Sequence, residues 1–140
     1  MEKSPLNRAK SLLKSTDSTL CVVSGEGIFT SQERGVKPLL YLLKEKKGFL
    51  KGASVADKVI GKAAALLMVL GKIKEVHTLI ISEPAIQVFE NHKIKYFYDE
   101  KVNHIINRAG DGLCPMESLC LDIDDPREAL TKIIEKISKI

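Results

Sequence analysis

The sequence has no apolar run long enough to span a membrane. Its longest, "AAALLMVLG", begins just after Lys62 and ends before Lys72, short of the roughly 18 residues that a spanning helix needs. Nor does the polar start "MEKSPLNRAK" carry the apolar segment and small-residue cleavage site of an export signal. Cysteine is scarce. Cys21, Cys114 and Cys120 are odd in number and form no CxxC pair, which argues against a disulfide framework and for free thiols in a reducing compartment. A cytoplasmic location with no membrane partner is therefore expected. His77, His92 and His104 lie far apart, so no two share a helical face as a metal pair would. Aromatics are few, and only Tyr96, Phe97 and Tyr98 cluster, with no basic stripe beside them, which argues against a nucleic-acid partner. No internal repeat or linker is visible.

What is present is the material of one domain spanning 1–140, with 44% apolar and 29% charged residues. The net charge of +4 is spread along the chain and is a mild pull toward anionic ligands. Leu6, Ala9, Leu12 and Leu13 predict an amphipathic helix over 5–15. "STLCVVSGEGIFTSQ" predicts a β-hairpin turning at Gly25-Glu26-Gly27, and "GVKPLLYLLKEKKG" a helix with Pro38 in its first turn. "GASVADKVIGKAAALLMVLGKI" reads as one long, buried helix closed by Gly71. "VHTLIIS" predicts a central strand, Glu83-Pro84 opens a helix, and "IKYFY" and "VNHIIN" are further strand candidates. "NRAGDGLCPME" is a glycine-punctuated loop entering a helix. Asp125-Pro126-Arg127-Glu128 is a capping box for a last helix carrying Leu130, Ile133, Ile134, Ile137 and Ile140. The alternation gives an α/β layered domain with a mixed sheet.

Taken together, "SVADKVIGKAAALL" and "ISEPAIQVFE" resemble the two zinc segments of the cytidine-deaminase-like superfamily. In its active members a helix begins with His-Ala-Glu or Cys-Ala-Glu, and a later strand ends in Glu-Pro-Cys-x-x-Cys at the head of the next helix. Both helix starts then point at one zinc, which activates a water whose proton the glutamate shuttles. By that resemblance Val55-Ala56-Asp57 stands for the first motif, and Glu83-Pro84-Ala85-Ile86-Gln87-Val88 for the second. The ligand positions fall on Val55, Ala85 and Val88, none of which has a lone pair to offer. No metal or other cofactor is expected, zinc-dependent deamination is disfavoured, and Asp57 takes the proton-shuttle place. Nearly end to end, through "FTSQERGVKPLL", "LKGASVADKVIGKAAALL", "ISEPA" and "INRAGDGLCPMES", the chain resembles a family of uncharacterised bacterial and archaeal proteins classed as a domain of unknown function. That resemblance implies a three-layer α/β/α fold with a mixed sheet, cytidine-deaminase-like and without the metal motif. It brings no established reaction.

Chemistry is then sought beside the emptied metal positions. Cys114 precedes Pro115, with Glu117 three places on, so a thiol stands where a capping oxygen belongs, and a helix N-terminus favours its thiolate. Asp57 is the candidate acid/base. Lys58 and Lys62, a turn apart on the expected helix, are candidates for neutralising or holding an anionic group. Arg34 and Lys37 flank Gly35, and Asn107, Arg108 and Gly112 share a glycine-rich loop suited to an anion. Ser82 and Glu83 end a strand where open α/β sheets bind ligands. Two readings follow. One is a metal-free protein binding a small anionic or nucleotide-like molecule in the former active-site cleft, with Cys114 as nucleophile. The other is a non-catalytic ligand-binding or regulatory module. A homodimer through an apolar helix face is a further expectation.

Overall fold

All five prolines stand in the first turn of a helix. The missing N–H of proline costs nothing there, and its fixed φ suits the turn. In the computed structural model, which describes residues 4–138, the elements are α1 (Pro5–Ser15), β1 (Leu20–Ser24), β2 (Gly27–Ser31), α2 (Lys37–Glu45), β3 (Ser54–Ile60), α3 (Lys62–Leu70), β4 (Glu75–Ser82), α4 (Glu83–Asn91), β5 (Lys95–Val102), α5 (Pro115–Cys120) and α6 (Pro126–Ser138). Ile140, expected on the last helix, lies outside the described residues.

The five strands form one mixed sheet in the order β2-β1-β3-β4-β5. β1 runs antiparallel to both β2 and β3, while β3, β4 and β5 are parallel. Parallel neighbours need long crossovers, and α3 and α4 supply them. The two faces differ. Cys21 and Ala56, opposite each other in the ladder, pack with Ala9 and Leu13 of α1. Val22, Val55 and Val76 share the other face and join the larger core under α2, α3 and α4, with Ile133 of α6 reaching the same cluster. Leu66, Leu67 and Met68 of α3 are wholly buried there, each contributing about 1.5–3 kcal/mol. Gly71 closes α3 because space demands it, since a Cβ would lie 2.6 Å from Cδ1 of Leu50.

The α/β class and the mixed sheet agree with the sequence reading, but two elements differ. The long helix expected over 52–73 is a strand followed by a shorter helix. Val55, Val59 and Ile60 extend along β3, Gly61 breaks the chain direction in extended conformation (φ −100, ψ −176), and only then does α3 begin. Ser54, Val55 and Ala56 at the start of β3 are buried, as is most of α3, and short buried apolar runs fit a strand or a helix equally well, which hid the change of period. "VNHIIN" is not a strand either. Val102 ends β5, and what remains of the segment makes a single bridge, Ile106 to Leu113. Among the described residues no helix is long and apolar enough to cross a membrane.

Candidate functional site

Strands β3 and β4 end side by side, and α3 and α4 start from their carboxyl ends. At the head of α4 the Ser82 hydroxyl, fully buried, accepts a hydrogen bond from the Ala85 amide at 3.3 Å. Glu83 turns outward and pairs with Lys101 at 3.3 Å. Ala85 and Val88 lie in the main core with Val55. Val55 stands opposite Val76, near the start of β4, whereas Ala85 follows its end, so the expected pairing of Val55-Ala56-Asp57 with the head of α4 as two helix starts facing one point is not what the fold shows.

The head of α3 has no cap of its own, since Gly61 carries no side chain. Glu117 of α5 supplies one from 55 residues away. Its Oε1 accepts from the Lys62 amide at 2.7 Å and its Oε2 from the Ile105 amide at 2.7 Å. Glu117 as a whole is 2% exposed. It sits where the free N–H groups and the positive end of the helix dipole favour an anion. A Cβ at residue 61 would come within 3.1 Å of both Glu117 Oε1 and Ile105 Cγ1, so glycine lets the carboxylate approach this closely. Lys62 is 6% exposed and uses its Nζ inside the protein, donating to the Leu121 carbonyl at 2.8 Å and to Asp124 at 3.0 Å.

The loop between β5 and α5 is fastened in the same way. The Asn107 Oδ1 accepts from the Gly110 amide at 2.9 Å, its Nδ2 donates to Asp111 at 2.9 Å, and its own amide donates to the Gly112 carbonyl at 2.9 Å. The Cys114 amide donates to Ile105 at 2.9 Å. Cys114 does stand at the N-cap of α5, half-buried, and its thiol makes no capping bond. Glu117 does not reach back to complete a capping box, because its carboxylate is committed to α3. Arg108 is exposed.

Asp57 and Lys58 do not start a helix; they lie in β3. Asp57 shares a face with Leu20 and Thr78, its register neighbours. Burial pushes its carboxyl up to about 8, against the downward pull of the Val59 and Lys58 amides, so it is mostly protonated at neutral pH. Lys58 points to the α1 side and pairs with Asp17 at 3.7 Å. The expected stacking of Lys58 and Lys62 one turn apart is therefore absent. Asp57 makes no hydrogen bond to Cys114. Arg34 and Lys37 are exposed before and at the start of α2, away from this network. The structure thus gathers Gly61, Lys62, Ile105, Glu117 and the Cys114 backbone into one sealed joint. Glu117, Ile105 and Asp124 were not singled out in the sequence. The only signal for Glu117 was its capping-box spacing, which suggested a different partner.

A second feature lies at the opposite ends of α2 and α3. Leu42, Leu43, Leu50 and Leu70 line a depression of about 240 Å³, and Lys46, Lys47, Lys51 and Lys72 stand around it. The Gly52 amide donates to the Lys72 carbonyl at 2.8 Å and stitches the two turns together. Among the described residues none of these four lysines has a carboxylate within ion-pair reach.

The model of a family described as a domain of unknown function, DUF1893, matches residues 8–137. The chain belongs to the DUF1893 family. A crystal structure of a DUF1893 family protein from Thermotoga maritima is 34% identical with a TM-score of 0.88, covering 97% of this chain and 92% of that one. RibD of Acinetobacter baumannii is 15% identical with a TM-score of 0.45, covering 68% of this chain and 34% of that one, a likeness too slight to build on. No curated protein matches. The family and the fold of this DUF1893 chain are thus established.

Proposed function

We propose that this DUF1893 protein is a non-catalytic binding module for a small phosphorylated, nucleotide-like molecule, held in the lysine-rimmed depression between the ends of α2 and α3. The observation that carries the reading is the unpaired charge there. Two helices end at the depression, and lysine beside a helix C-terminus complements its partial negative charge. Each end is worth about half an elementary charge, so two ends offset about one of the four lysines, Lys46, Lys47, Lys51 and Lys72. The surplus suits an anion of two or more charges, and the leucine floor suits an apolar or aromatic body attached to it.

The catalytic alternative has less support. The head of α3, where an anionic substrate would be received, already holds the Glu117 carboxylate, and Lys62 and Lys58 are engaged with Asp124 and Asp17. A second anion beside Glu117 would meet like charge at low dielectric.

Isothermal titration of the full chain with ADP, and separately with pyrophosphate, tests the reading. Binding is expected at 50 mM salt. It should weaken about tenfold at 300 mM as screening grows, and in the double variant Lys47→Glu, Lys51→Glu. No heat of binding at millimolar ligand, or equal affinity in the variant, refutes it.

A further inference from the structure

The sheet has two edges of different character. β2 is a five-residue strand, while β5 runs for eight residues with one register to β4 from Glu75–Lys95 to Ser82–Val102, skipping only Leu79–Asp99. On its outer side, among the described residues, no backbone hydrogen bond from another segment reaches β5. Neither proline, glycine nor a bulge interrupts it, and its protection against open pairing is charge alone, from Lys95, Asp99, Glu100 and Lys101. Phe97 is 49% and Tyr98 42% exposed, on opposite faces of the strand.

We propose that this edge pairs with the same edge of a second copy of the chain, antiparallel and centred on Phe97. A two-fold axis normal to the sheet keeps each face on its own side, so residues placed opposite each other must share a face. Few registers meet that condition. Centred on Phe97, Phe97 meets its own symmetry mate on the axis, while Tyr96 meets Tyr98 and Lys95 meets Asp99, these two pairs occurring on both sides of it. Aromatic pairs and opposite charges are the favourable cross-strand neighbours. Centring on Tyr98 sets Lys95 against Lys101, and centring on Asp99 sets that carboxylate against itself. Centring on Tyr96 runs the pairing into the turn at Lys93, whose φ is 57°.

The surroundings fit the same register. Phe89, Tyr96 and Tyr98 already form a stack, with ring centroids 6.0 and 6.3 Å apart, and Tyr98 of the second copy extends it. Beside the edge a depression of about 360 Å³, lined by Glu90, Lys93, Ile94, Lys95, Tyr96 and Phe97, gives that ring its place. Asp99 uses Oδ1 on His77 at 3.2 Å, which leaves its other oxygen for Lys95. One strand pair with its flanking aromatics is a small interface, so the dimer is reversible, with a dissociation constant on the order of 10–100 μM.

Sedimentation velocity of the full chain from 1 to 500 μM tests this. A monomer–dimer equilibrium is expected, weakened at least about tenfold by Phe97→Glu, which places two carboxylates at the axis. An unchanged far-UV spectrum would confirm that this exposed substitution leaves the fold intact. Phe97→Cys should cross-link into a disulfide dimer with oxidised glutathione under conditions where the wild type does not, since the Cα atoms of facing residues lie within the span of a disulfide. A monomer at all concentrations, a dimer indifferent to Phe97→Glu, or no cross-link beyond that of the wild type overturns the proposal.

Discussion

Glu117 offers the sharpest single test of how the parallel half of the molecule is joined to its C-terminal helices. Two amides, of Lys62 and Ile105, donate to its carboxylate at 2.7 Å each. A hydrogen bond to a charged group is worth about 1.5–3 kcal/mol, and a buried donor left without a partner costs about 1–3 kcal/mol. Glu117→Gln keeps the side-chain length and one acceptor oxygen, but turns an NH₂ toward the second amide, so it loses one bond and should destabilise by about 2–3 kcal/mol. Glu117→Ala strips both donors and leaves a void, at about 4–6 kcal/mol, a large part of the roughly 5–15 kcal/mol that holds such a domain folded. The chain has no tryptophan, so urea unfolding is best followed by far-UV circular dichroism. For Glu117→Gln the midpoint should fall by about 1–2 M. Amide exchange should rise at Lys62 and Ile105 ahead of the neighbouring residues of β4. A loss below about 0.5 kcal/mol, the range of ordinary surface changes, or unchanged exchange at those two amides, would refute the capping of α3 by Glu117.

Asp57 should make stability depend on pH in a definite sense. Its folded carboxyl is raised to about 8 from 3.8, so the folded state holds a proton that the unfolded chain releases. The contribution is fully present below about pH 4 and is lost as pH rises toward 8. Asp57→Asn removes that loss, so its stability relative to wild type should grow between pH 4 and 8 by up to a few kcal/mol; parallel stability curves would contradict this. Among the thiols, Cys114 should be alkylated by iodoacetamide first. Cys21 and Cys120 are buried, and burial pushes both thiols up, Cys120 to about 11. Peptide mass spectrometry showing Cys21 or Cys120 modified first in native protein would be the contrary result.

How far the sequence could be read follows from how local each signal is. Pro5, Pro38, Pro84, Pro115 and Pro126 announce five helices, and Ser82 and Asp125 cap two of them within three residues. The one helix misplaced, α3, is the one with no proline and no capping side chain of its own. Gly61 was the available sign, since an isolated glycine in an apolar helical pattern weakens that pattern, and Val55, Val59 and Ile60 just before it are β-branched. The error then carried into the site, because Asp57 was placed near a helix start and Lys58 and Lys62 on one helical face, when a strand holds Asp57 and Lys58. Cys114 was placed correctly at a helix start. What it lacks, a bond from Glu117 in a capping box, depends on partners 12 and 55 positions away, and no spacing rule spans such distances.

The joint at Glu117 also bears on the order in which the protein is made. By the time Val102 has been synthesised every strand of the sheet exists, yet the first turn of α3 still has bare amides, because its carboxylate has not emerged. α5 is only six residues long, too short to persist alone, so it gains its shape when Glu117 docks. Lys62 then fixes the chain again at Leu121 and Asp124. A nascent chain that has left the ribosome past residue 102 but not past residue 117 would thus carry a complete sheet with an open, electropositive helix end, a species that a chaperone or a passing anion could hold. Release of some twenty further residues would close it.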